Sequence, residues 1–523
     1  MELDCDVLVV GAGCGGIAAA LAATRGGRRV VLTEPTTWVG GQLTNQAVPP
    51  DEHPWVETTG ITESYRRMRQ AVREHYRATR NLTDAAGREE QLNPGNAWVS
   101  NLAAEPVVFH EVLLQMMQQA REQGLLRLLS QHTATDAAVV GDRVRSVEFL
   151  DTVNAESVTV SFEFVLDATE EGELLPLVGC EHVIGAESSS ETGEPHALEG
   201  PADPWDQQAI TWCAALERRP GSTQVLTRPH SYEYWQSYQA EHWPGPQLGW
   251  ATAEPETGDA LRRPLFDDDA KDLWSFRRIR YGKHYRDSVE DITLVNWPQV
   301  DYWLTPLIGR SEEERVAAMS GARELTLSFI HWLQSDAPRP DGGAGFPELQ
   351  LNAAVLGTTD GLAMRPYVRE ARRIKAQATV LEQHIGVDAR PGATSAELFD
   401  DTVGVGSYRI DLHPSTAGRG YLDIATYPFQ IPLGALLPQR IENLLAAGKN
   451  LGVTHITNGC YRLHPVEWNV GEAAGALAAY CLERRTQPSE VRAKTGLLLE
   501  FQQRLLQLGV QLHWPDSIRH QLR

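Results

Sequence analysis

The sequence predicts an α/β chain whose parallel sheet is assembled from pieces far apart along the polymer. Two observations carry that expectation. First, Asp6–Val10, Arg29–Thr33 and Asn443–Ala447 are short apolar runs with no polar alternation, the pattern of strands buried on both faces. Second, a glycine-rich turn and a helix of small residues join the first two, while the third lies far downstream.

The amino-terminal unit justifies itself residue by residue. Gly11 permits a tight turn after the first strand, Gly13 lets backbone approach a pyrophosphate, and Gly16 lets the next helix lie close to the strand. That helix, roughly Gly15–Arg25, carries Ala18, Ala19, Ala20, Ala22 and Ala23, so nothing bulky holds it off the sheet. Its free N–H groups and positive dipole end suit an anion. The next strand ends at Glu34, where a carboxylate can accept from ribose hydroxyls. Strand, turn, helix, strand and acid together define a Rossmann-type dinucleotide site. The acid favours a free ribose over a 2′-phosphate, but it does not separate NAD from FAD.

Further along, Leu125–Thr169 reads as a β-meander with a Gly141-Asp142 hairpin turn. Its last strand places Val158, Val160, Phe162, Phe164 and Leu166 on one face and runs into Asp167-Ala168-Thr169. Downstream of Asn443–Ala447 come Gly448, Lys449 and Asn450, then the stretch His455 to Leu482, with a helix expected shortly after Pro465. There Gly471, Ala474, Gly475 and Ala478 recur at helical spacing.

These motifs carry a family resemblance. Glu34 followed by WVGGQLT resembles the flavoproteins typified by glutathione reductase, and DAT-x-x-G resembles their second fingerprint. More widely, GGQLTNQAV, DEHPWVETTGITESYRRMR, LDATEEGELLPLVGCEHVIGAES, DITLVNWPQVDYW, MRPYVREARRIKA, GSYRIDLHP and YPFQIPLGALLPQRIENLLAAGKNLGVTH resemble the FAD-dependent oxidoreductase family. The resemblance implies a Rossmann-type FAD-binding domain assembled from discontinuous segments, plus an inserted α+β substrate domain. It implies FAD contacts at Gly11, Gly13, Gly16, Glu34, Gly41, Gln42, Asp167, Gly448, Asn450 and Gly471. The backbone of Ala134 is expected beside the adenine. Two features depart from the pattern. Glu170-Glu171-Gly172-Glu173 is unusually acidic, and Cys460 stands where a small residue is expected.

The implied division is 1–50, 125–180 and 425–485 for the FAD-binding domain, 51–124 for a helical insertion, 181–424 for the substrate domain and 486–523 for a helical tail. Within these, Arg66–Arg80 reads as an exposed basic helix with a solvated face. Residues 186–206 read as a polar loop able to act as a lid. Six tryptophans between residues 230 and 305 suit either a pocket for a sugar or aromatic compound or a core. Val491–Gln507 reads as an amphipathic surface helix.

Composition excludes several classes. A formal charge of −22 argues against a nucleic-acid partner. Six cysteines without a CxxC pair form neither a disulfide framework nor a zinc site. Only one GxGxxG is present; Thr402–Gly406 lacks the third glycine, so a second, NAD(P)H-binding domain is not expected. Acidic residues lead straight into the first strand, unlike a secretory signal. No run approaches the roughly eighteen apolar residues of a membrane span. A cytoplasmic enzyme is expected.

The expected reaction transfers a hydride between a small organic substrate and flavin N5. Electrons would pass to oxygen, a quinone or a protein. His413 and His464 are candidate bases, since histidine titrates near neutrality. Arg462 is a candidate for holding a substrate oxyanion or the reduced flavin, and Tyr408 for orienting substrate. Cys460 or His413 would be the tether of a covalent flavin. The rival expectations are an NAD(P)H-driven flavin monooxygenase, a non-catalytic FAD-binding redox sensor, and an NAD dehydrogenase.

Overall fold

In the computed structural model, which describes residues 1–267 and 271–523, five short strands form one parallel sheet. Their order is Leu444–Ala446, Phe164–Asp167, Val7–Val10, Val30–Glu34 and Leu126–Ser130. Val7–Val10 sits where the order reverses: chain continues to one side through Val30–Glu34 and returns on the other through Phe164–Asp167. In open α/β sheets the ligand crevice lies outside the carboxyl ends of the strands at such a reversal, here beside Gly11.

Two helices cover the sheet by interlocking small residues. Cys14–Arg25 packs along His464–Arg484. A Cβ on Gly471 would lie 2.5 Å from both the Cα and carbonyl carbon of Gly15, and one on Gly475 2.7 Å from the carbonyl carbon of Ala19. The alanines and glycines therefore set the helix separation.

A second sheet of four strands stands beside the first. It comprises Glu2–Asp4, Glu156–Ser161, Arg143–Asp151 and His132–Val140, with Gly141 at φ +59° in the expected hairpin. The sequence alternation from Val158 to Leu166 suggested one strand, but the chain passes between sheets: Glu156–Ser161 belongs to the meander and Phe164–Asp167 to the parallel sheet. The expected small-residue helix runs His464–Arg484 with Pro465 in its first turn, and a further short helix, His455–Tyr461, precedes it.

Residues between 210 and 368 build a separate core, while those from 374 on pack into the core of the parallel sheet. Strands Arg278–Arg280, Ile292–Val295, Ala214–Arg218 and Leu349–Leu351 form an antiparallel sheet. The helix Glu312–Ser335, opened by a Ser311–Glu314 capping box, packs in the same core. Trp235, Trp250, Trp274 and Trp297 pack in this core, and Trp243 and Trp303 in a neighbouring cluster. All six are buried, and Trp250 also lines a cavity of about 560 Å³ with Phe266 and Phe346.

Two surface expectations are corrected. The helix Glu63–Thr79 does not present all its arginines to water: Arg69 is 1% exposed and Arg73 5%. Arg69 pairs with Glu52 and Glu57, and Arg73 with Glu57 at 2.6 Å. Nor is 186–206 a loose strap. Glu187 accepts from the His455 N–H at 2.8 Å, and Glu194 accepts from the Thr454 hydroxyl at 2.7 Å and the Glu382 N–H at 2.8 Å. The tail forms Pro488–Ala493 and Thr495–Leu508, the latter burying Leu498, Phe501 and Leu505.

Candidate active site

The glycine turn opens onto a groove of about 580 Å³. Gly11, Gly13, Glu34 and Ala134 line it, together with Thr36, Asn45, Thr169, Arg315 and Arg365. Gly11 holds φ +95°, and a Cβ there would meet the Ala168 carbonyl carbon at 2.7 Å and the Thr169 nitrogen at 2.8 Å. Only glycine satisfies both constraints.

Glu34 is fixed at the end of its strand. Its Oε2 accepts from the Ala12 N–H at 3.3 Å, and its Oε1 from the Thr36 N–H and hydroxyl at 2.9 and 2.7 Å. Burial pushes this carboxyl up to about 7, against the Thr36 hydrogen bonds that favour its charged form.

Gly41 lies against the glycine turn, since its Cβ would fall 2.8 Å from the Gly13 Cα. Between them reaches Glu170, the acid that departs from the family pattern. Its Oε2 is 2.5 Å from the Lys449 Nζ, and its Oε1 has no partner among the described residues. Gln42 donates to Glu467 at 2.5 Å and to the Arg462 carbonyl at 3.1 Å. Burial first, and then the Glu170 charge, push the Glu467 carboxyl up to about 7.

Five other expected contacts do not line this groove. Gly16 and Gly471 are backbone packing positions, meeting the Gly11 and Gly15 carbonyls. The Asp167 carboxylate turns inward to accept from the Thr169 N–H and hydroxyl at 3.0 and 2.7 Å, and burial pushes it up to about 7. Asn450 donates to the Asp167 carbonyl at 3.0 Å. Gly448 sits near Glu467 and Ala168. These residues tie the third strand to the second rather than facing the groove.

A second cavity, about 290 Å³, is lined by Asp51, Arg277, Arg369, Tyr408, His413 and Arg462 among others. Its walls come from Asp51, Trp98 and Val99, from residues between 252 and 298 and between 367 and 423, and from Arg462 and Arg523. Arg462 stands between the glycine loop and the second cavity: its carbonyl is bound by Gln42, and its guanidinium lines the cavity. Arg462 donates to the Tyr367 hydroxyl, and to the Asp411 carbonyl and carboxylate at 3.0 and 3.3 Å.

His413 is held from behind. Its Nδ1 is 2.5 Å from Asp301 Oδ2 and 3.0 Å from the Tyr421 hydroxyl, while its Nε2 is 3.7 Å from Asp411. Asp301 is buried and also accepts from Thr211 at 2.5 Å and Arg369 at 3.0 Å. Burial alone would raise the Asp301 carboxyl, but Arg369 and His413 outweigh it and hold it below its ordinary range. An ionised carboxylate at Nδ1 draws the ring proton to that nitrogen, and Nε2 faces the Asp411 carboxylate at 3.7 Å.

His464 is not on the wall of either cavity. Its Nδ1 accepts from the Asp51 N–H at 3.1 Å, and burial pushes it down to about 4, so it stays neutral at neutral pH. Tyr408 lines the cavity, its hydroxyl pushed well up by burial. Cys460 is buried and lines neither cavity. Asp301, Arg277 and Arg369 were not singled out by sequence, although Asp301 and Arg369 lie within stretches that carry the family resemblance.

A Rossmann-type groove at the carboxyl ends of the parallel strands defines the class as a nucleotide-binding protein. The model of the FAD dependent oxidoreductase family matches residues 6–505. The chain belongs to that family, and its cofactor is FAD.

No curated protein matches the chain. Among solved structures it is similar to a geranylgeranyl bacteriochlorophyll reductase-like protein from Thermoplasma acidophilum, at 11% identity and TM-score 0.36, over 98% of this chain and 86% of that one. It is similar to the OxyS anhydrotetracycline hydroxylase from Streptomyces rimosus at 11% identity and TM-score 0.31, over 97% and 67%. The match to L-proline dehydrogenase from P. horikoshii, at 13% identity and TM-score 0.18, covers 36% of this chain and 26% of that one. Among the described residues no helix is long and apolar enough to cross a membrane.

The residues present fit FAD. The groove offers a carboxylate for ribose hydroxyls, and a turn whose Cβ-free backbone admits a pyrophosphate. Lys449 stands beside that turn as a cation, paired with Glu170.

Proposed function

We propose that this oxidoreductase takes a hydride from a carbon bearing an O–H or N–H group in a small organic substrate held in the second cavity. Bound FAD supplies the hydride acceptor. The chain supplies the proton acceptor: His413, with Nδ1–H donated to Asp301, takes the O–H or N–H proton at Nε2 as the C=O or C=N bond forms. Asp301 acts as a positioning residue and stabilises the imidazolium that results. Arg462 and Tyr408 orient the substrate's polar groups toward the seam with the groove.

The His413–Asp301 contact of 2.5 Å on the wall of the second cavity carries this reading. The test is anaerobic exposure of the FAD-loaded protein to a library of alcohols and amines, following flavin absorbance. Bleaching by one compound is expected, slowed ~10²–10⁴-fold in His413→Asn with FAD content unchanged. The reading fails if no such compound bleaches the flavin while NADPH does so directly.

A further inference from the structure

The cradle that glycine leaves open at the nucleotide turn is filled by a side chain. A Cβ on Gly13 would lie 2.7 Å from Glu170 Oε1, and one on Gly41 would meet the same atom more closely still. The missing Cβ of the second glycine is what lets a pyrophosphate approach such a turn. The Glu170 carboxyl and a pyrophosphate therefore compete for one place. Nothing in the cradle holds Glu170 there, because Oε1 has no donor among the described residues. A carboxyl oxygen buried without a donor is costly. What holds Glu170 is Lys449, which donates to its other oxygen.

The second observation concerns Lys449 itself. Its side chain is 1% exposed and forms no other hydrogen bond among the described residues, so its remaining N–H groups are uncommitted. Burial alone would lower the ammonium, but Glu170 and Glu467 outweigh it and hold Lys449 above its ordinary range, as a cation. Glu170 lines the groove and Lys449 does not, so the carboxyl separates the ammonium from the groove. Turning Glu170 aside uncovers the glycine cradle and a buried cation together. Arg365, on the wall of the same groove and 3.5 Å from both Glu171 and Glu173, is a cation toward which the displaced carboxylate can turn. Glu467 also stands at the turn, 3.8 Å from the place of a Gly13 Cβ. A pyrophosphate added beside both acids would meet strong repulsion at such range.

We propose that Glu170 is a stand-in for the FAD pyrophosphate, and that loading the cofactor transfers Lys449 from the Glu170 carboxylate to the pyrophosphate. The exchange breaks one ion pair and forms another, with no covalent step. Lys449 is then a cofactor-binding residue, and Glu170 a competitor that the cofactor displaces. A pyrophosphate carries more charge and more acceptor oxygens than a carboxylate, and can engage the N–H groups that Glu170 leaves uncommitted. Neither role depends on the hydride transfer assigned to the second cavity.

The experiment measures binding of FAD, ADP and adenosine to the full-length chain freed of flavin, by calorimetry and by quenching of FAD fluorescence. ADP carries the pyrophosphate without the flavin, and adenosine carries neither. Glu170→Gln keeps the shape of the side chain without its charge. It is expected to tighten FAD and ADP ~10-fold and to leave adenosine unchanged. Lys449→Met is expected to weaken FAD and ADP about 10-fold. That variant strands the Glu170 charge, so Lys449→Met is also made on the Glu170→Gln background. There a ~10-fold loss relative to Glu170→Gln alone isolates the lysine. A purely structural ion pair gives both single variants the same sign. FAD and ADP binding weakened or unchanged in Glu170→Gln overturns the proposal, as does adenosine tightening as much as ADP. So does a double variant that binds ADP as tightly as Glu170→Gln. Should Lys449→Met fail to fold in either background, the sign of the Glu170→Gln change decides alone.

Discussion

Replacing Gly471 with alanine separates two roles that the sequence could not. The family pattern implied a cofactor contact there, whereas the structure gives a helix-on-helix contact with Gly15. An added Cβ would sit 2.5 Å from two carbon atoms of Gly15, where real Cβ contacts essentially never fall below 3.0 Å. The two helices would have to part by at least the difference, 0.5 Å, and by more to clear the Gly15 oxygen. A radial gap of ~0.5–1 Å forfeits a quarter to a half of each dispersion contact along the interface. Overpacking of this kind costs ~1–3 kcal/mol.

With ~2.1 cal/mol/K of unfolding entropy per residue, the 523-residue chain should lose ~1–3 °C in Tm if it melts as one unit. Gly496 provides the control, because it lies in a helix with open space around it. There Gly→Ala should stabilise by ~0.5–1 kcal/mol. Thermal unfolding of apo and FAD-loaded protein, with FAD affinity measured separately, checks both. Gly471→Ala should lower Tm in both forms, with FAD affinity following only secondarily. A variant as stable as the parent in both forms but binding FAD ten times more weakly would refute the packing account.

Glu34→Gln should weaken FAD binding ~10-fold through loss of a charged acceptor. In the parent, FAD affinity should rise with pH through about 7, since ribose hydroxyls favour the ionised Glu34 and burial in the empty groove has raised it; the variant should be flat, and a flat parent would dispose of the idea. Asp301→Asn should slow flavin reduction ~10²-fold with little change in KM, and alter the pH dependence of kcat, read by stopped-flow absorbance; an unaltered pH profile would remove Asp301 as a positioning residue. Arg69→Met leaves Glu52 buried without its cation and should cost ~3–5 kcal/mol, partly recovered by adding Glu52→Gln; denaturant unfolding checks it, and a single variant as stable as the parent contradicts the buried pairing. Glu194 is pushed up to about 7, mainly by burial. As its folded value lies above its unfolded one, its contribution to stability declines as pH rises from about 4.5 to about 7. Glu194→Gln should therefore gain relative to the parent across that window in denaturant titrations, and a pH-independent difference would count against it.

The parts of the fold legible in the sequence are those where backbone crowding dictates residue type. Gly11 needs its positive φ, and Gly15, Gly471 and Gly475 need the absence of a Cβ. Such requirements leave a mark in one dimension even when the partners are remote. Apolar runs without alternation marked the buried parallel strands for the same reason. What stayed hidden depended on which polar groups the packing brings together. Asp301 and His413 are 112 residues apart, and nothing local to either records the other. Arg69 and Arg73 read as a solvated face because their acids precede the helix on a separate segment. The alternation from Val158 to Leu166 continued across a point where the chain changes sheets, so periodicity alone merged two strands. Asp167 and His464 each give one side-chain atom to a nearby backbone N–H, a pairing that nothing in the sequence marks.

The seam at Arg462 explains why the two halves of the site cannot be considered separately. The break between the helices His455–Tyr461 and His464–Arg484 leaves the Arg462 carbonyl free of the helical ladder, and Gln42 donates to it. Gln42 belongs to the glycine loop that lies against the nucleotide turn, and its other bond is to Glu467 on the closing helix. The guanidinium of the same arginine points the other way, to Asp411 and Tyr367 in the second cavity. One residue thus takes its backbone position from the cofactor side and spends its charge on the substrate side.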